Sequence, residues 1–278
     1  MKQALLEMAA LVCPDDGAAL RHADHGLLCK SCGREFSQTN GVWELLPLAS
    51  LDEASPDGQR LESYRAGYSK RADRAWLQLG RVLIAELGNA YLYGWASGAI
   101  ETVAAGRALR ILDAACGEGM LWRHLSRRHD YVGSDFSARP LARASRYHPA
   151  EYFRADLNRL PFASDSFDLV VTLQALQYLE NPQRAVDEVR RVLRPGGHFV
   201  WSVPNEESFK YRRLGVPANQ LRRFRRETIA GLVSRGFHSL QLEARGLWLP
   251  LPRVSVHLPG HYSERHGLSW TGVAARNS

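Results

Sequence analysis

Two kinds of apolar spacing divide the chain. From about Leu61 to Ala104, residues such as Trp76, Leu79, Leu83, Ile84 and Leu87 recur three and four apart, the period of an amphipathic helix. From Ala108 onward, short apolar runs alternate with helical stretches. The runs Ala108–Ala115, Asp130–Asp135, Glu151–Asp156, Phe167–Thr172 and His198–Val203 predict strands. Glu118–His129, Ala138–Tyr147 and Gln183–Leu193 predict the helices between them. Phe237–Arg245 and Leu268–Ala275 predict a last pair of strands, joined by a long aromatic connection. Such alternation implies an α/β fold, a mostly parallel sheet with helices on both faces. The first 48 residues show neither period. Residues 13–48 are rich in turn formers, and the small, polar segment 49–59 reads as a linker.

With 278 residues, the chain has room for a small head over 1–48 and a larger body over 60–278. Hydrophobic residues at 45% and charged residues at 23% exclude a disordered chain. No apolar run approaches the roughly 18 residues of a membrane span, so a transmembrane protein is excluded and no membrane partner is expected. The stretch Met1 to Val12 is interrupted by Glu7 and followed by no small-residue cleavage site. The expectation is a cytoplasmic protein without a secretory signal.

Charge changes the picture only by where it sits. The formal net charge is +7, yet residues 1–48 hold four bases and six acids. The positive excess therefore lies in the body, and its densest run is Lys210, Arg212, Arg213, Arg222, Arg223, Arg225 and Arg226. That run reads either as a phosphate-contacting patch or as a solvated helix face. It lacks the interleaved aromatics of a single-strand nucleic-acid platform.

The first body strand ends in Asp113-Ala114-Ala115-Cys116-Gly117-Glu118-Gly119, an acid followed by a tight glycine turn. Gly117 and Gly119 let backbone approach a ligand closely, and the following helix would offer unpaired N–H groups. The second strand ends in Asp135, 22 residues after Asp113, suited to ribose hydroxyls. A pyrophosphate-binding turn would carry a third glycine where Trp122 stands.

This pattern resembles the nucleotide motif of the class I S-adenosylmethionine-dependent methyltransferases, with Ala115 at the position of the first glycine. Arg154-Ala155-Asp156-Leu157 followed by Leu160-Pro161-Phe162 resembles that family's adenine-contacting turn. Ser166–Val171 resembles its fourth strand, and Val189–Gly197 its next helix, turn and strand entry. The resemblance implies a Rossmann-like, seven-stranded, mostly parallel sheet and S-adenosylmethionine as cofactor. It places the amino-acid portion on Asp113, Ala115, Cys116, Gly117 and Gly119, the ribose on Asp135 with Phe136, and the adenine on Asp156 and Leu157. Leu173 and Gln174, after the fourth strand, are further cofactor-binding candidates, with Gln174 orienting ligand or loop, and Tyr68 folds over the cofactor or packs in the core.

Cys13, Cys29 and Cys32 fall in the first 32 residues. In a reducing compartment this clustering reads as metal binding before disulfide. Cys29-Lys30-Ser31-Cys32-Gly33 is one Cys-x-x-Cys turn; Cys13-Pro14-Asp15-Asp16 is another, with Asp16 in place of the second thiol. Cys13, Asp16, Cys29 and Cys32 thus make a candidate three-thiolate, one-carboxylate zinc set, with His22 and His25 in reserve. The segment resembles the zinc-ribbon head that precedes some bacterial methyltransferases, the 23S rRNA guanine-N1 enzymes among them. The readings are a structural zinc or a ribbon that has lost its metal.

For the acceptor, the loops after the fourth and fifth strands and the connection 246–267 are expected on the ligand face. Tyr178, His257 and His261 are candidate general bases, needed only where the nucleophile must lose a proton. The Asn/Asp-Pro-Pro-aromatic motif of the adenine and cytosine N-methyltransferases is replaced by Thr172-Leu173-Gln174-Ala175. The expectation is methyl transfer to a small-molecule acceptor, in secondary metabolism for example. An rRNA base methyltransferase is the alternative, and a non-catalytic or non-methylating S-adenosylmethionine-binding protein a further one.

Overall fold

The structure, a computed structural model, describes residues 11–51, 91–214, 222–251 and 254–277. Tyr68 and the helical pattern before residue 91 lie outside them. The head contributes β1 (Leu20–Ala23), β2 (Gly26–Cys29), β3 (Glu35–Phe36), β4 (Gln38–Thr39), β5 (Val42–Glu44) and a single turn of helix, α1 (Leu48–Leu51). Residues 91–104 are helical (α2). There follow β6 (Arg110–Ala114), a 3₁₀ turn Met120–His124, β7 (Asp130–Asp135), α3 (Ala138–Tyr147), β8 (Glu151–Arg154) and β9 (Phe167–Leu173). Next come a 3₁₀ turn Leu176–Tyr178, α4 (Pro182–Val192), β10 (Leu193–Pro204), α5 (Phe209–Leu214) and α6 (Arg226–Ser234). The chain ends with β11 (Phe237–Leu251), β12 (Val254–His261) and β13 (Gly267–Arg276).

Among the described residues these strands form a ten-stranded sheet in the order β12-β11-β13-β10-β9-β6-β7-β8-β5-β4, and a three-stranded sheet β1-β2-β3. The sheet has ten strands and not the expected seven: the seven predicted runs are β8-β7-β6-β9-β10-β13-β11, and β12, β5 and β4 extend them. β6, β7, β8, β9 and β10 run parallel, while β13 is antiparallel to both β10 and β11. β11 therefore points the same way as β10, and the chain leaving it does so on the edge where β6 and β9 also end. β6 and β9 are covered on both faces, which is why Ile111, Leu112, Leu169, Val170 and Val171 are fully buried.

The head does not stand apart from this sheet. β5 pairs in parallel with β8, and β4 pairs with β5. Leu11, Phe36, Trp43 and Leu45 share one buried cluster with Phe153, Phe162 and Leu157. The core thus crosses the division that composition marks at 49–59.

Two expectations about local structure change. Residues 118–129 are not a helix: only Met120–His124 turn, as 3₁₀. Gly117 and Gly119 hold left-handed φ values of 56° and 71°, which delays the turn, and β7 already begins at Asp130. The connection 246–267 is not an open loop either, because β11 and β12 form an antiparallel hairpin from Arg245↔His261 to Leu251↔Val254.

Candidate functional site

The glycine turn is built by the strands beneath it. The N–H groups of Ala115 and Cys116 both donate to the Ser134 carbonyl, at 2.7 and 2.9 Å, which folds the end of β6 onto β7. The Gly117 N–H donates to Asp135 Oδ2 at 2.9 Å, and the Ser137 N–H donates to Oδ1 at 2.8 Å. At Gly117 a Cβ would meet open space, so conformation and ligand access, not packing, call for glycine. Gly119 is closed in, with Tyr152 Oη 2.9 Å from where a Cβ would lie. Ala115 itself adopts φ 70°. A left-handed non-glycine residue costs about 1–2 kcal/mol, strain of the kind that collects at binding turns.

The electrostatics of this turn are unusual. Asp113 is buried and accepts a 2.7 Å hydrogen bond from Tyr131 Oη. Burial raises its carboxyl to about 7, with Tyr131 opposing and the charge of Asp135 adding to the rise. Burial likewise raises Asp135, against the N–H groups of Ser137 and Gly117. Burial pushes the Cys116 thiol well up, so sulfur here is neutral and not a nucleophile. Two carboxyls held short of water favour a ligand bringing hydroxyls or a cation. Each Asp135 oxygen takes one backbone N–H, and the Ser137 hydroxyl and Phe136 N–H also favour its charged form, so it is an acceptor held by its own turn. The residues present fit an adenosyl group.

The neighbouring residues follow strand by strand. The Phe136 carbonyl accepts from Arg154 Nε at 3.1 Å, and Arg154 Nη1 pairs with Glu44 of the head at 2.9 Å. Asp156 closes its own turn, accepting from the Asn158 N–H at 2.8 Å, and Ser50 Oγ approaches its other oxygen at 3.5 Å. Asp156 also lines a cavity of about 280 Å³ with Pro47, Ala49, Arg159, Glu180 and Arg184. Leu157 is buried beside it. Leu173 ends β9, and Gln174 is left-handed at φ 55°. The Gln174 side chain reaches Ser202 Oγ at 3.2 Å and Ser269 Oγ at 3.1 Å, and Ser269 in turn meets Tyr91 Oη at 3.2 Å.

The candidate bases are dispersed. Tyr178 is half-buried on the 3₁₀ turn after β9. His261 is exposed, with Glu243 at 3.1 Å and Arg245 at 2.8 Å, on the sheet side away from β7 and β8. His257 lies on β12 opposite Trp248. The structure thus brings Asp113, Ala115, Cys116, Gly117, Gly119, Asp135 and Phe136 into one turn, with Asp156, Leu157, Leu173 and Gln174 on adjacent strand ends. Sequence reasoning passes over Ser202, Ser269 and Tyr131. A polar residue inside an apolar strand, as in Val200-Trp201-Ser202-Val203, is the signal that marks such positions.

The cysteine cluster forms two matching knuckles. The Cys13 N–H donates to Ala18 O at 2.8 Å and the Gly17 N–H to Cys13 O at 2.9 Å. The Cys29 N–H donates to Arg34 O at 2.9 Å and the Gly33 N–H to Cys29 O at 2.9 Å. Gly17 and Gly33 take φ 76° and 77° to close them. The ligand atoms of Cys13, Asp16, Cys29 and Cys32 all lie within 4.8 Å of one another. Burial raises the Cys13 thiol to about 12, whereas the Ala18 N–H helps hold Asp16 at about 2. Four donors on two superposable turns fit a closed tetrahedral site.

Comparison with known proteins was informative over the body. A family model described as a methyltransferase domain matches residues 112–201. A malonyl-[acyl-carrier protein] O-methyltransferase of Enterobacter lignolyticus is 40% identical over 98 residues, covering 34% of this chain and 39% of that protein. A phthiotriol/phenolphthiotriol dimycocerosates methyltransferase of Mycobacterium leprae is 30% identical over 158 residues, covering 54% of this chain and 56% of that protein. The chain therefore spans between about two fifths and just over half of these relatives' length. A solved SAM-dependent methyltransferase of Thermotoga maritima has the same fold, with TM-score 0.55 and 19% identity, over 79% of this chain and 99% of that one.

Proposed function

We propose, from the methyltransferase domain matched over residues 112–201, that the whole chain is an S-adenosylmethionine-dependent methyltransferase acting on a small-molecule or acyl acceptor. The observation that carries this reading is Asp135 held between the Gly117 N–H of the glycine turn at 2.9 Å and the Ser137 N–H at 2.8 Å, with open space at Gly117. Asp135 takes the ribose diol, Asp156 and Leu157 the adenine edge, and Ala115–Gly119 the amino-acid portion. When bound, the sulfonium supplies an already activated methyl group. The chain's own work is then to align the acceptor for in-line displacement and to exclude water. Tyr178, at the end of β9, is the position we assign to an acceptor proton; His257 and His261 sit toward the β11–β12 edge. The two curated relatives above are named for acyl and lipid acceptors, which favours a small-molecule or tethered acyl acceptor over rRNA.

Cys13, Asp16, Cys29 and Cys32 hold a structural zinc in this reading. A closed four-donor set leaves no position for substrate, so the metal stabilises the head and takes no part in methyl transfer.

Calorimetry with S-adenosylhomocysteine tests the cofactor site. Wild-type chain binds it, and Asp135→Ala weakens binding tenfold or more, because charge-assisted bonds are worth about 1.5–3 kcal/mol. Absence of binding heat in the folded wild type refutes the proposal. Unchanged affinity in the variant moves the ribose away from Asp135. Binding of bulk rRNA that falls steeply with salt would restore the RNA reading.

A further inference from the structure

We infer that the acceptor carries an anionic group, a carboxylate or a phosphoryl, and that Arg223 receives it. The inference rests on the methyltransferase reading for calling that ligand the acceptor. Residues 222–224 lie across the ends of two central strands. The Arg222 N–H donates to Gln177 O at 3.3 Å, on the turn after β9, and the Phe224 N–H donates to Pro204 O at 3.1 Å, the last residue of β10. This places Arg223 on the strand-end edge where ligands of an open α/β sheet bind.

The guanidinium is fixed from one side only. Its plane stacks over Tyr211 with Cζ 4.4 Å from the ring centre, and Nη1 donates to Tyr211 O at 3.2 Å. Nε and Nη2 are buried and, among the described residues, have no hydrogen-bond partner. These two nitrogens lie side by side on one edge of the plane, the edge that grips a carboxylate or phosphoryl through two parallel bonds. The Nε of Arg222 is buried and unpartnered too, while its Nη2 donates to Glu180 O at 2.6 Å. Arg191, on α4, is satisfied on all three nitrogens: its Nε, Nη1 and Nη2 are engaged by Glu188, Phe162 O and Leu160 O. Arg154, by contrast, leaves its Nη2 buried without a partner among the described residues. The acid whose charge reaches Arg223 is Glu206, and its carboxylate lies 3.4 Å from Arg225. A buried donor left unbonded costs stability. A pair of them on one rigid fork is worth keeping where a ligand completes it. Tyr178 lies on the same turn as Gln177, whose carbonyl accepts from the Arg222 N–H, and this puts the fork near the proposed site of proton removal.

The full chain is tested by proton–nitrogen correlation spectra of arginine Nε groups, with and without S-adenosylhomocysteine, titrated with malonate and separately with inorganic phosphate. One Nε resonance, missing from Arg223→Lys, shifts saturably with at least one probe, and Arg223→Gln weakens that binding tenfold or more. A response to malonate alone assigns a carboxylate, and to phosphate alone a phosphoryl group. No saturable shift in wild-type chain that binds S-adenosylhomocysteine overturns the inference and leaves the cofactor reading intact. Undiminished binding in folded Arg223→Gln overturns it as well. A saturable shift in chain that gives no heat with S-adenosylhomocysteine keeps the anion fork and removes the methyltransferase reading instead.

Discussion

Asp113 offers the most quantitative handle on the turn. Its carboxyl is buried at 3% exposure and titrates at about 7, against an ordinary 3.8. The folded state therefore holds a proton that the unfolded chain releases. Stability from this group is complete below the unfolded value, falls as pH rises, and is fully lost above about pH 7. About three pH units at about 1.4 kcal/mol each make ~4 kcal/mol. Asp113→Asn keeps the shape and an oxygen to accept from Tyr131, but nothing that ionises. The variant should match wild type most closely in acid and outlast it at higher pH. Between about pH 5 and pH 8 the gap widens by roughly 2–3 kcal/mol, or about 5–10 °C in midpoint for a chain of this length. Thermal unfolding of ligand-free protein across that range measures it, and the difference between the two curves cancels the other titrating groups. Parallel curves for variant and wild type would refute the reasoning, since they would mean that Asp113 is ionised in the folded chain at no cost.

Other outcomes follow from the same contacts. Elemental analysis should find about one zinc per chain, and a Cys29→Ser, Cys32→Ser double variant should lose it; metal-free native protein would mean that the knuckles close without a metal. Gly133→Ala should destabilise by about 1–3 kcal/mol in urea unfolding, because its Cβ would lie 2.6 Å from the Tyr152 ring and 3.0 Å from Cys116 Sγ. Wild-type stability in that variant would show the ring free to move.

What was legible in the sequence was local. β7 and α3 run over the expected residues, Asp130–Asp135 and Ala138–Tyr147, because each is a short periodic run closed by its own breakers. α4 begins one residue earlier than expected, at Pro182, where the Asn181 side chain accepts from the Arg184 N–H. The glycine turn was readable because acid, glycines and second-strand acid all lie within one β6–β7 unit. The misread helix over 118–129 had helical composition, but two left-handed glycines override propensity. The β11–β12 hairpin had a readable signal, the alternation Val254-Ser255-Val256-His257-Leu258, too short to stand out from the surrounding apolar residues. The Gln174–Ser269 contact joins residues 95 apart, and Arg223 matters through the turns after β9 and β10. No local pattern carries such pairings.

The merger of head and body was equally invisible, and it bears on why the head is there. A segment of some 40 residues is too small to make an independent core without a staple. This one is tied in two ways: at the cysteine knuckles and along the edge of β8, where β5 covers a strand that would otherwise present unpaired backbone groups. Both ties lead to the adenosyl edge. On one path, Asp15 beside the knuckle binds Arg34 at 2.5 Å and the Leu48 N–H at 2.7 Å, and this starts the turn that carries Ser50 to Asp156. On the other, Glu44 of β5 holds Arg154, which holds the carbonyl of Phe136 next to Asp135. The head therefore braces both acids proposed to bind the nucleoside, and it does so through contacts that need no RNA. A basic, RNA-gripping ribbon would put its charge outward. This head spends Asp15, Glu44 and Arg34 on internal pairs, which tie it to the two acids proposed for the nucleoside.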